Sequence, residues 1–139
     1  SYDLMIVKLE SPSTAQWVTV NSDPAFPPEN PAVEIDAIGI GQTSYSATGL
    51  ATTLQQTPLI AIVDEACNIL IQVSDATGSL FRNLPSDQMC LTDYSVSMDG
   101  QCTGDEGGPM VETGETVSDD TIVGVMAMNS GSCAAGGVS

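Results

Sequence analysis

Cys102-Thr103-Gly104-Asp105-Glu106-Gly107-Gly108-Pro109 is the stretch on which the reading of this chain turns. Glycine reaches backbone conformations closed to other residues, so Gly104, Gly107 and Gly108 let the chain reverse tightly between a cysteine and a proline. Two consecutive acids, Asp105 and Glu106, sit in the middle of that reversal. Taken alone, the stretch fits an ordinary surface turn as well as a built site, and its surroundings decide between the two.

Working outward, β-rich runs flank it: Pro109 to Glu112 and Thr121 to Met128 downstream, and Leu4 to Leu9, Trp17 to Val20, Val33 to Ile40, Leu50 to Val63 and Gln88 to Thr92 upstream, with Pro58 expected to interrupt the fourth. Turn signals separate them at Ser11-Pro12, Asp23 to Pro31, Gly39-x-Gly41, Asp75 to Gly78, Asp99-Gly100 and Gly114. This punctuation predicts an all-β, antiparallel sheet. The one helical candidate is Asp64 to Val73, where Asp64 and Glu65 suit the positive end of a helix dipole. No repeat or heptad appears, so a compact barrel or sandwich is expected. Met110, Met126 and Met128 read as core filling.

Composition removes several classes of function. The 139 residues suit a single domain with one core. Lys8 and Arg82 stand against 18 acidic residues, and a net charge of −16 leaves no cationic surface for phosphate backbones or anionic lipid. No nucleic acid and no membrane partner is expected. Hydrophobic residues at 42% exceed what a disordered acidic chain carries. No run approaches the roughly 18 apolar residues that span a bilayer, and SYDLMIVKL at the start lacks the pattern of a signal peptide. Cys67, Cys90, Cys102 and Cys133 form an even set with no C-x-x-C spacing, which favours two disulfides over zinc and implies a secreted, extracellular protein. Sequence alone leaves open which of three pairings is used. No metal and no cofactor is expected.

The segment from Cys102 to Pro109 resembles the C-x-G-D-S-G-G-P signature of the trypsin-like serine protease family, departing from it at Glu106, the nucleophile position. Other segments match in order. Asp3 to Leu9 resembles the strand whose aspartate orients the catalytic histidine. Gly39-Ile40-Gly41-Gln42-Thr43 resembles the G-W-G-x-T strand end, with isoleucine for tryptophan. Cys67 falls at the helix cysteine, Met89-Cys90 at its partner segment, and Gly124 to Asn129 at the G-[IV]-V-S-W-G strand of the substrate cleft, with Cys133 following. The resemblance covers nearly the whole chain. It implies the second Greek-key β-barrel of that fold, incomplete at both ends, with the N-terminal barrel and the final helix outside residues 1–139. It also implies the disulfides Cys67–Cys90 and Cys102–Cys133, each worth roughly 3 kcal/mol for a loop of this size.

Family chemistry needs an alcohol, an imidazole and a carboxylate. By the resemblance Asp3 supplies the carboxylate, the amides of Gly104 and Glu106 form the oxyanion hole, and the histidine lies upstream of this chain, which contains none. Glu106 is the obstacle, because a carboxylate is a poor nucleophile toward amides and its charge lies beside the place where an oxyanion would form. Two roles are open for it: a residue released from catalytic demand, or a carboxylate that accepts hydrogen bonds from the oxyanion-hole amides and caps the site.

The pocket implied by the resemblance is altered as well. Its base falls at Gly100 or Asp99, and Asp99 is three residues before Cys102 where trypsin-like enzymes place their aspartate two before. Its wall, Ala127-Met128-Asn129, replaces Ser-Trp-Gly, and Asn129 would narrow the mouth. Asp105 matches the aspartate that pairs with the new N-terminus formed on zymogen cleavage. The sequence therefore suggests a secreted, catalytically inactive serine protease homologue that acts by binding or regulating a protein partner. A fragment of an active endopeptidase and a structural subunit of an extracellular assembly are the alternatives. An isolated barrel of this kind exposes apolar surface, so either a protein partner or the missing N-terminal barrel of the same polypeptide is expected to cover it.

Overall fold

The computed structural model describes residues 4–28, 33–44, 47–74, 87–93 and 100–127. Its elements are β1 (Thr19–Val20), β2 (Glu34–Gly39), β3 (Gln55–Ile62), α1 (Asp64–Ser74), β4 (Cys90–Thr92), β5 (Pro109–Glu112) and β6 (Thr121–Val125). The strands form one sheet in the order β1-β6-β5-β2-β3-β4. Four of its pairings are antiparallel, and β1 with β6 is parallel, a departure from the wholly antiparallel expectation. Among the described residues the sheet does not close, and β1 and β4 are its edges. The architecture is that of an open, incomplete barrel with one short helix.

The longest ladder runs from Glu34 opposite Ile60 to Gly39 opposite Gln55. Alternation places Ile35 and Ala37 of β2 on one face, and they bury against Leu59 and Ala61 of β3, Leu91 of β4, Met110 of β5 and Met126 just beyond β6. Phe26, Val33, Met89 and Val123 close over this core. Met110 and Met126 are thus core residues, as their alternation predicts; Met128 lies outside the described residues.

Three expectations need correction. Pro58 does not interrupt β3 but sits within it opposite Asp36. Among the described residues β4 pairs with Ile60 to Ile62 and nothing pairs with Pro58 on that side of β3, where a missing N–H costs no ladder bond. Residues 4–9 form no strand, and Met5 and Ile6 are 84% and 98% exposed. The segment is apolar on both faces, the pattern of a strand covered on both sides, and no strand of the described residues lies beside it. Of the run from Trp17 to Val20, only the last two residues pair.

Helix α1 ends one residue beyond the expected Val73 and carries Asp64 and Glu65 in its first turn. A Cys67–Cys90 disulfide ties it to β4, with Cα atoms 6.0 Å apart and both cysteines buried. Ile62 packs over the bridge. Between β5 and β6 the register shifts: Met110 faces Gly124, but Val111 faces Ile122, so Val123 is a surplus residue in a β-bulge. Val123 and Gly124 consequently both lean on the core, the first in the apolar cluster and the second against Met110 and Met89.

Candidate functional site

The loop from Cys102 to Gly108 meets the end of β2 and leads into β5. Two tight reversals shape it: Asp105 N–H donates to the Cys102 carbonyl at 3.1 Å, and Gly108 N–H to the Asp105 carbonyl at 2.8 Å. Gly104 and Gly107 have φ of 97° and 87°, the left-handed region where a side chain is strained. The loop is then stitched to its neighbours. Gln42 N–H donates to the Thr103 carbonyl at 2.9 Å, while Gly107 N–H reaches the Met126 carbonyl at 2.8 Å and Met126 N–H returns to Gly108 at 2.9 Å.

Asp105 is the pin of this arrangement. One carboxylate oxygen accepts from Gly41 N–H, and the other from Cys102 N–H at 2.8 Å. Its side chain lies over the Cα atoms of Gly39 and Gly41, where a Cβ at either position would collide with it. The Gly-x-Gly spacing read as a strand end is therefore the seat of the Asp105 carboxylate, a role that only tertiary contact reveals. Beside it opens a cavity of about 270 Å³, lined by Ala37, Gly39, Gly41, Gly100, Gln101 and Asp105 among others. Gly100 of the expected pocket base is thus in this cavity, with Gln101 buried next to it.

Glu106 is exposed, and its carboxylate turns back onto its own loop: Gly104 N–H donates to Oε2 at 2.8 Å. One of the two amides that the resemblance assigns to an oxyanion hole is therefore held by the side chain at the nucleophile position. A charge-assisted bond of this kind is stronger than one between neutral groups. Of the remaining expected site residues, Ala127 is exposed and is not among the residues lining the cavity. Asp3, Asp99, Met128 and Asn129 lie outside the described residues. Cys102 is itself disulfide-bonded, and Cys133, its partner by the resemblance, also lies outside them.

The family model for trypsin matches the chain over residues 1–139, its whole length. The chain belongs to the trypsin family. No curated protein matches this trypsin-family chain. Its mainly β architecture and the Cys67–Cys90 disulfide agree with that membership. Among the described residues, no helix is long and apolar enough to cross a membrane.

Proposed function

We propose that this chain belongs to a secreted, non-catalytic trypsin-family protein that acts by binding another protein. The observation that carries the reading is Glu106: it replaces the serine of the signature, and its carboxylate takes the Gly104 amide at 2.8 Å. An acyl oxygen arriving there would meet a donor already engaged and a negative charge already present, so both the nucleophile and part of its electrostatic support are missing. Secretion is supported by the disulfides, with no free cysteine among the described residues.

Residues 4–9 bear on what accompanies the chain. An extended, exposed segment apolar on both faces calls for a sheet edge from another folded unit. The resemblance names the N-terminal barrel of the same polypeptide as that unit. A fluorophosphonate probe, together with a panel of peptide substrates, tests the catalytic part on the full-length protein. Neither covalent labelling nor turnover is expected; labelling of the wild-type protein overturns the reading.

A further inference from the structure

We propose that the Asp23–Pro24 bond is a self-cleavage site, at which the aspartate's own carboxylate cuts the chain and the fold supplies donors to the oxygen of the breaking bond. The bond lies in the turn Asp23-Pro24-Ala25-Phe26, closed by Phe26 N–H on the Asp23 carbonyl at 3.3 Å. Asn21 grips the same residue: its Nδ2 donates to that carbonyl at 3.2 Å, while Asp23 N–H donates to its Oδ1 at 3.0 Å. Two N–H donors therefore converge on one carbonyl oxygen, the arrangement that stabilises an oxygen gaining negative charge when its carbon is attacked. Both bonds are at the long end of the N–H···O range, and they tighten as that charge develops.

The nucleophile lies beside the bond. Ala25 N–H donates to Asp23 Oδ1 at 2.9 Å, so the side chain folds forward across the Asp23–Pro24 peptide unit. The fold holds both ends of the turn: Asn21 N–H donates to the Ile122 carbonyl at 2.9 Å, and Phe26 packs on the apolar core. A reacting group held in this way needs little further ordering. A carboxylate oxygen of Asp23 attacks the Asp23 carbonyl carbon, the C–N bond to Pro24 breaks, and the nitrogen leaves as an amine after taking a proton from the medium. The prolyl nitrogen carries no N–H, so no backbone hydrogen bond holds it as it departs. Water then opens the cyclic anhydride, restoring the side-chain carboxylate and leaving a second carboxylate as the new C-terminus. Asp23 and Pro24 are exposed, which gives that water access. The net change is hydrolysis of one peptide bond. It would separate residues 4–9 and β1 from the rest of the sheet, and in residues 1–139 no cysteine precedes Cys67 to keep the pieces joined.

The test holds the full-length protein in mildly acidic buffer in which its circular dichroism stays native, alone and in urea, and reads the products by intact mass and N-terminal sequencing. Acid supplies the proton that the leaving nitrogen needs. A new C-terminus at Asp23 and a new N-terminus at Pro24 are expected, appearing about tenfold faster in the folded protein than in urea; a donor in a closed active site gives roughly a hundredfold or more, and this turn is open to solvent. Asn21→Ala brings the folded rate down to the unfolded one, and Asp23→Ala abolishes the cut. Pretreatment with a fluorophosphonate leaves the rate unchanged, which sets the reaction apart from cleavage by a serine protease. Equal rates in folded and unfolded protein overturn the proposal, since the fold then adds nothing to the bond's own chemistry. An intact Asp23–Pro24 bond, a cut blocked by the fluorophosphonate, or an unchanged rate in an Asn21→Ala protein that melts like the wild type overturns it as well.

Discussion

Residues 4–9 and residues 102–108 both resemble signature segments of the trypsin family, yet the fold treats them in opposite ways. In the loop, the N–H groups of Cys102, Gly104, Asp105, Gly107 and Gly108 all find acceptors close by, three within the loop's own turns or on Asp105 and two on Glu106 and Met126. In the arm, the described residues offer no backbone partner, and Leu4, Met5, Ile6, Val7 and Leu9 are all exposed. The difference teaches that a motif built on turns carries its own hydrogen-bond partners, whereas a motif built on a strand borrows them from a neighbour.

Four substitutions can break or sharpen that contrast. The largest effect is expected from Gly39→Ala, whose Cβ would collide with the Asp105 carboxylate. Urea unfolding should report a loss of about 3 kcal/mol, the upper end for overpacking, and a loss below about 0.5 kcal/mol would mean that the seat gives way. Asp105→Ala comes next. It leaves the Gly41 and Cys102 amides without their acceptor, and a cost of about 2 kcal/mol is expected in the same measurement.

Glu106→Gln follows, with a change in stability within about 0.5 kcal/mol because the residue is exposed. Its signature is spectroscopic: the amide proton resonance of Gly104 should move upfield as the charge-assisted bond weakens, and an unmoved resonance would show that the bond is not formed in solution. Smallest of all is Ile6→Ser. In the 139-residue chain it is expected to change stability by less than about 0.5 kcal/mol, since the side chain is 98% exposed. Where another folded unit covers the arm, the same substitution should cost about 2 kcal/mol or more. A substantial loss in the chain by itself would overturn the contrast.

Local chemistry made much of the fold legible. The signature from Cys102 to Pro109, the acidic start of α1 and the Cys67–Cys90 bridge implied by the resemblance all depend on residues close in sequence or on a strong family pattern. What stayed hidden depends on partners far away. Leu4 to Leu9 has strand composition but no described strand beside it, and the parallel pairing of Thr19 with Thr121 links residues a hundred positions apart by number. Pro58 reads as a breaker, yet among the described residues β4 pairs with β3 from Ile60 onward and takes no bond from Pro58. At the site, Glu106 was legible as a substitution and as a candidate cap, and the Gly104 bond matches the second role. The placing of Leu50 against Gly104 was not legible, because it depends on the return of the β2–β3 connection, where Ala51 N–H donates to the Ile40 and Gly41 carbonyls.

The surplus Val123 of the β-bulge acts as a phase counter for everything that follows it in β6. Side chains alternate along a strand, so removing one residue there would turn Met126 outward and send exposed Ala127 into the core, exchanging a large filler for a methyl group. The bonds that join Met126 to Gly107 and Gly108 would be offered by the wrong residue. The glycine loop is thus set in place by a count of residues on a strand outside the signature, and a single-codon deletion there would reach it as surely as a change within.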